Sequence, residues 1–122
     1  MNTNRNVGKV GENLALTFLK NKGYSLISRN YYTRWGEIDL IVEKDTKISF
    51  IEVKTRISTI QGKPYESVDQ RKLFKLTRPI KHFLLQDRYK NRKLSLDVIS
   101  IELNRDQSLR ELKYFENVEI NS

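Results

Sequence analysis

Gly36-Glu37-Ile38-Asp39-Leu40-Ile41-Val42-Glu43, followed after Lys44-Asp45-Thr46-Lys47 by Ile48-Ser49-Phe50-Ile51-Glu52-Val53-Lys54, decides how this chain folds. Both runs are rich in Ile, Val and Phe, the residues that suit a half-buried pleated surface, and the polar joint between them reads as a hairpin turn. A symmetric hairpin centred between Asp45 and Thr46 sets Asp39 opposite Glu52, whether the loop holds two residues or four. Side chains alternate faces along a strand, so Lys54 shares the face of Glu52 and Glu37 that of Asp39. An odd loop or a bulge would shift that register and undo the relation.

Outward from the hairpin, Val7, Val10, Leu14, Phe18 and Leu19 recur at helical spacing over residues 7–22. Gly23 ends that helix, and Gly11 lies on its apolar face, where a missing side chain allows close packing on a sheet. Tyr24 to Tyr32 reads as a first strand, and Thr33-Arg34-Trp35-Gly36 as the turn into the hairpin. After it, Arg56 to Tyr65 reads as a loop holding Gly62 and Pro64. Ser67 with Gln70 suggests a capping box for a second helix, whose stripe is Leu73, Leu76, Ile80, Phe83 and Leu84. Pro79 falls inside that stripe and predicts a break near Arg78. Leu94 to Leu103, apolar on both faces, predicts a central strand, and Leu112 to Ile120 an added edge strand. The order is α-β-β-β-α-β with an extra C-terminal strand: an α/β fold, a mixed sheet flanked by helices, in a single domain over 1–122.

Of 122 residues 38% are hydrophobic and 31% charged, which suits a globular chain and not a disordered one. The absence of cysteine excludes disulfides and thiolate metal sites. Residues 1–6 are polar, unlike a signal peptide, and no apolar run is long enough to span a bilayer, so the expected location is cytoplasmic, with no membrane partner. The net charge of +8 is regional: residues 54–93 hold twelve Lys or Arg against three Asp or Glu. That concentration fits a phosphate-facing surface, and also a solvated helix face.

Asp39 and Glu52 on neighbouring strands could hold a hard divalent cation, with the Val53 carbonyl as a further oxygen and Lys54 reaching the same place. The same residues would also suit an ordinary polar sheet face with a cross-strand ion pair. Against that, both carboxylates sit within strongly apolar runs, where an enclosed charge needs a cation or hydrogen-bond partners.

Gly-Glu-Ile-Asp-Leu-Ile followed by Phe-Ile-Glu-Val-Lys-Thr-Arg resembles the YraN family of small bacterial proteins regarded as endonucleases of the PD-(D/E)XK superfamily, itself similar to archaeal Holliday-junction resolvases. The resemblance extends to Gly8, Gly11-Glu12 and Ala15, to Gly23-Tyr24 and Arg29-Asn30, to Gly62, Pro64, Val68 and Lys72, and to Leu96-Asp97-Val98-Ile99. Leu96 departs from the aromatic residue usual before that Asp, and Pro79 falls where the family continues its helix. The resemblance implies a restriction-endonuclease-like fold, Asp39 and Glu52 as ligands of Mg2+ or Mn2+, and Lys54 as the catalytic lysine. It adds Glu12 as a further acidic residue from the first helix, and a homodimer where both strands of a duplex are cut.

The expected function is metal-dependent phosphodiester hydrolysis in DNA, branched or structured DNA included; the rival readings are a non-catalytic nucleic-acid-binding module and a protein adaptor. Arg56, Arg71, Lys72, Lys75 and Arg78 are candidate nucleic-acid contacts, with Lys81, Arg88, Lys90, Arg92 and Lys93 beside them. Glu37 reads as an outer carboxylate or an exposed strand-start charge, and Gln70 as a cap. His82 reads as a helix-surface residue. Trp35 is expected to cover the end of the core, with base stacking as its alternative.

Overall fold

A computed structural model describes residues 3–58 and 69–120, of which 3–6 by backbone alone. Gly62, Pro64, Ser67 and Val68 lie outside the described residues. The elements are α1 (Thr3–Asn21), β1 (Ser25–Thr33), β2 (Gly36–Lys44), β3 (Lys47–Ile57), α2 (Gln70–Lys75), α3 (Thr77–Phe83), a 3-10 turn (Asp87–Tyr89), β4 (Lys93–Leu103) and β5 (Leu109–Phe115). The five strands form one mixed sheet in sequence order. Only β3 and β4 are parallel, joined by the crossover that carries α2 and α3. This is the α/β arrangement that the hairpin and its flanking helices predict.

The alternation of apolar residues sorts them into two cores. Val7, Ala15 and Leu19 of α1 pack on Leu40, Val42, Ile51, Ile99, Ile101 and Leu103. Leu73 of α2, Phe83 of α3 and Leu76 between them pack on Ile41, Ile48, Phe50, Leu96 and Val98 across the sheet. Each fully buried Leu, Ile or Phe contributes roughly 1.5–3 kcal/mol against exposure. Gly11 is where α1 meets β3: a Cβ there would stand 1.8 Å from the Thr55 hydroxyl oxygen. Gly23 ends α1 at φ +96, a conformation costly for any residue with a side chain.

The hairpin has the expected register, Leu40 opposite Ile51 and Lys44 opposite Lys47, about a two-residue turn with Asp45 at φ 57. Several boundaries differ from expectation. The strand β3 continues to Ile57, so Arg56 belongs to the sheet and not to the loop. The second helix is two helices, with the break at Leu76, ahead of the expected Arg78. Pro79 explains the offset, because its missing N–H and its ring act on the carbonyl four residues earlier, that of Lys75. The helix cap is Asp69, whose carboxylate accepts from the Arg71 N–H at 3.0 Å. Gln70 is instead the first helical residue, and its amide donates to the Glu119 carbonyl. The last strand ends at Phe115, five residues short of the expected Ile120. Beyond it Asn117 stands at φ 50 and the Val118 N–H donates to the Leu96 carbonyl, so the chain past β5 carries on alongside the first half of β4.

Candidate functional site

The sheet opens at one end, and that opening makes the site. Pairing of β2 with β3 stops at Leu40–Ile51, one step before Asp39 and Glu52. On the other side of β2, Arg29 pairs with Leu40 and Tyr31 with Ile38, but Asn30 and Asp39 between them do not pair. Asn30 is left-handed at φ 53. Both strands turn over there: Ile38 packs in the α2–α3 core, although strict alternation would put it with Leu40 in the α1 core. Asp39 sits at this flip, and its Oδ2 accepts the Val53 N–H at 2.8 Å in place of a main-chain bond. In a strand the N–H and C=O of one residue point to the same edge, so the Val53 carbonyl also faces the gap.

The gap is the floor of a cleft of about 470 Å³. Gly8 and Glu12 of α1, Asp39, residues Glu52 to Arg56 of β3, and Asp69 and Lys72 at the start of α2 line it. Glu52 and Lys54 continue the face of Phe50, and Val53 and Thr55 that of Ile51. All four reach one cleft because β2 has left the edge of β3.

The electrostatics are those of crowded acids. Burial, then the Glu52 carboxylate beside it, pushes the Asp39 carboxyl up to about 8, against the pull of the Val53 N–H. Glu52 is close enough to hydrogen-bond a protonated Asp39. Burial also raises Glu12, partly offset by Arg29, whose guanidinium lies 3.5 Å from it, while Glu37 and Glu52 add to the rise. At Asp69 slight desolvation is outweighed by the Arg71 and Lys72 N–H groups and by the Lys54 charge, so its carboxyl is lowered.

The structure thus brings Asp39, Glu52, Val53, Lys54, Glu12, Arg56 and Lys72 to one cleft. It does not bring Lys75 and Arg78 there; they line hollows around Trp35. Arg71 is exposed on α2 and is not among the cleft residues. Trp35 does not close the core: it is 41% exposed at the β1–β2 turn. His82 is a helix-surface residue as expected, but its Nδ1 lies 2.7 Å from the Tyr31 hydroxyl. Glu37 is half-buried beside the Tyr32 hydroxyl. Asp69 and Arg29 were missed; the signal for the first was an Asp directly before a helical run, a residue type favoured at caps.

Among the described residues no three His, Cys, Asp or Glu side chains are grouped to hold a metal ion. The donors present still fit a hard cation that keeps several waters: two carboxylates, one main-chain carbonyl, and a mutual repulsion that a cation would relieve. Among the described residues no helix is long and apolar enough to cross a membrane.

A mixed five-stranded α/β sheet whose parted strands present two carboxylates and a lysine is consistent with a nuclease-like module. Residues 11–101 match the model of the uncharacterised protein family UPF0102. A UPF0102 protein of Syntrophomonas wolfei is 45% identical over 98 residues, covering 80% of this chain and 85% of that one. One of Clostridium perfringens is 39% identical over 114 residues, 93% of each chain. One of Neisseria meningitidis is 41% identical over 105 residues, 86% of this chain and 91% of that one. The chain belongs to UPF0102, the YraN-like family that its hairpin resembles.

Proposed function

We propose that this chain is a divalent-metal-dependent endonuclease that hydrolyses phosphodiester bonds in DNA, branched or otherwise structured DNA among its substrates. The observation that carries the reading is the cleft where Asp39, Glu52 and Lys54 meet beside a helix start rich in cations. In this reading Asp39, Glu52 and the Val53 carbonyl hold Mg2+ or Mn2+. When bound, the ion supplies charge neutralisation and an acidified water. The Lys54 ammonium orients the attacking water or holds the charge that develops on the phosphoryl oxygens. Glu12, tied to Arg29, adds negative charge to the cleft wall. Arg56 and Lys72 meet the flanking phosphates, giving affinity without sequence readout. One site per chain calls for a homodimer where both strands of a duplex are cut.

The test is cleavage of a panel of linear and branched DNA with magnesium or manganese, beside Asp39→Ala, Glu52→Ala and Lys54→Ala. The parent is expected to cut, and each variant to cut slower by about a hundredfold or more. Variants that cut at the parental rate would refute the assignment. The second reading, a nucleic-acid-binding module without cleavage, draws on the Glu12–Arg29 pair and on the absence of a three-side-chain ligand group among the described residues. Salt-sensitive binding with no cleavage in either metal would favour it.

A further inference from the structure

Away from the cleft, Trp35 projects from the β1–β2 turn onto the outer side of α3. The turn is held by its own side chains: the Trp35 N–H donates to the Thr33 hydroxyl, which donates to the Gly36 carbonyl. The indole stands beside the His82 ring, centroids 5.7 Å apart, and His82 is in turn bonded to Tyr31. The ring is therefore backed by fixed neighbours while 41% exposed. Its other close neighbour is the exposed Arg34 guanidinium, 5.5 Å from the ring centre, which a planar group can displace.

The surroundings carry one sign of charge. Lys75, Arg78 and Lys81 line the two hollows that flank Trp35. Residues 70–86 contain no Asp or Glu, and among the described residues none of these three cations has an ion-pair partner. Lys72, one turn before Lys75, lines the cleft. A basic strip thus runs from the cleft to the indole. Trp35, in the turn, precedes Asp39 on β2 by four residues, so their Cα atoms lie within about 14 Å, a span of only a few nucleotides.

We propose that Trp35, with Arg34, Lys75, Arg78 and Lys81, is a docking platform for single-stranded DNA, so that the substrate of the cleft carries unpaired nucleotides next to the bond that is cut. A base stacks on the indole, and the cations take the phosphates on either side. An exposed aromatic face among unpaired cations suits this occupant, because stacking accepts any base and the charges match a backbone. The location of the cleaved bond rests on the nuclease reading; the platform itself does not.

Trp35 is the only tryptophan, so its fluorescence reports the contact directly. A short oligothymidylate, added in EDTA at low salt, is expected to quench most of the emission, and a blunt duplex of equal charge much less. In anisotropy with the labelled oligonucleotide, Trp35→Ala should weaken binding roughly 5- to 150-fold. Trp35→Phe should recover most of that loss, and Arg78→Glu with Lys81→Glu should weaken binding while leaving the indole in place. Asp39→Asn should keep the quenching, which separates failure of the platform from failure of the cleft. Equal quenching by duplex and single strand would overturn the proposal. So would quenching by an acidic peptide but not by oligothymidylate, which would assign the surface to a protein. Cleavage that is no faster on substrates with unpaired nucleotides would overturn the link to the cleft.

Discussion

Asp39 on β2 and Asp97 on β4 are both carboxylates inside apolar strands of one sheet, and they are treated in opposite ways. Asp97 is fully buried and receives three donors: the Ser95 hydroxyl at 2.5 Å, the Tyr114 hydroxyl at 2.6 Å and the Asn117 N–H at 2.9 Å. Asp39 is only half-buried, yet it receives the Val53 N–H and otherwise faces Glu52. The difference teaches that the supply of donors, beyond burial alone, separates an acid that the fold has satisfied from one that it has left open. A satisfied carboxylate ties its neighbours together, here β5 and the segment after it to β4. An unsatisfied one stores repulsion that a cation or a proton can release.

The largest effect expected from breaking this contrast lies at Asp97. Asp97→Ala leaves two hydroxyls and an N–H without their acceptor, and urea unfolding should show a loss of roughly 3–5 kcal/mol. A loss below about 1 kcal/mol would mean that water takes the place of the carboxylate.

Asp39→Asn should act in the other direction. An unfolded aspartate titrates near about 4, whereas folded Asp39 is pushed up to about 8. The folded state therefore holds the extra proton between those values, and stability falls as pH rises from the lower to the higher. Asparagine keeps the acceptor for Val53 and removes the repulsion. The variant should exceed the parent by about 2–4 kcal/mol above pH 8, less than the full shift implies because water in the cleft screens the charge. The advantage should vanish near pH 4, as read by melts in EDTA. A pH-independent difference between the two would break the contrast.

A cation should sharpen it. At pH 8 a hundredfold excess of Mg2+ or Mn2+ over its Kd should stabilise the parent by about 2.7 kcal/mol. Asp39→Asn should lose this gain, and Ser95→Ala should keep it. An equal gain in Asp39→Asn would place the ion elsewhere. The smallest effect is that of Tyr114→Phe, which removes one of three donors to Asp97 and should cost about 1 kcal/mol in urea unfolding.

Much of the frame was legible along the chain. Apolar alternation located the hairpin and its register, and a helical stripe ending in glycine located α1. Gly11 marked a close approach before its partner, Thr55, could be named. Where the reading slipped, a local rule had two candidates or acted at a distance. Ser67 and Asp69 are both good caps by residue type, and Asp69 is the one whose carboxylate reaches the Arg71 N–H. Pro79 announced a break, but its effect falls on the carbonyl one turn earlier. The indole of Trp35 is large enough to fill a core, and nothing in its neighbours along the chain showed that the aromatic part of the α2–α3 core is made by Phe83, stacked on Tyr89 and edge-on to Phe50.

The site itself divides the same way. By itself the sequence determined that Asp39, Glu52 and Lys54 lie on adjoining strands, since residue pattern and loop length specify pairing between neighbours in the chain. It singled out Asp39 through its partners Glu52 and Lys54, but the runs Ile38-Asp39-Leu40-Ile41 and Leu96-Asp97-Val98-Ile99 read alike and do not say which acid is supplied with donors. Only the tertiary structure decided that. Donors for Asp97 come partly from residues 17 and 20 positions away in the chain, and the gap at Asp39 arises where two strands turn over together. Hydrogen-bond satisfaction is a property of the neighbours that folding assembles, and no local pattern encodes it.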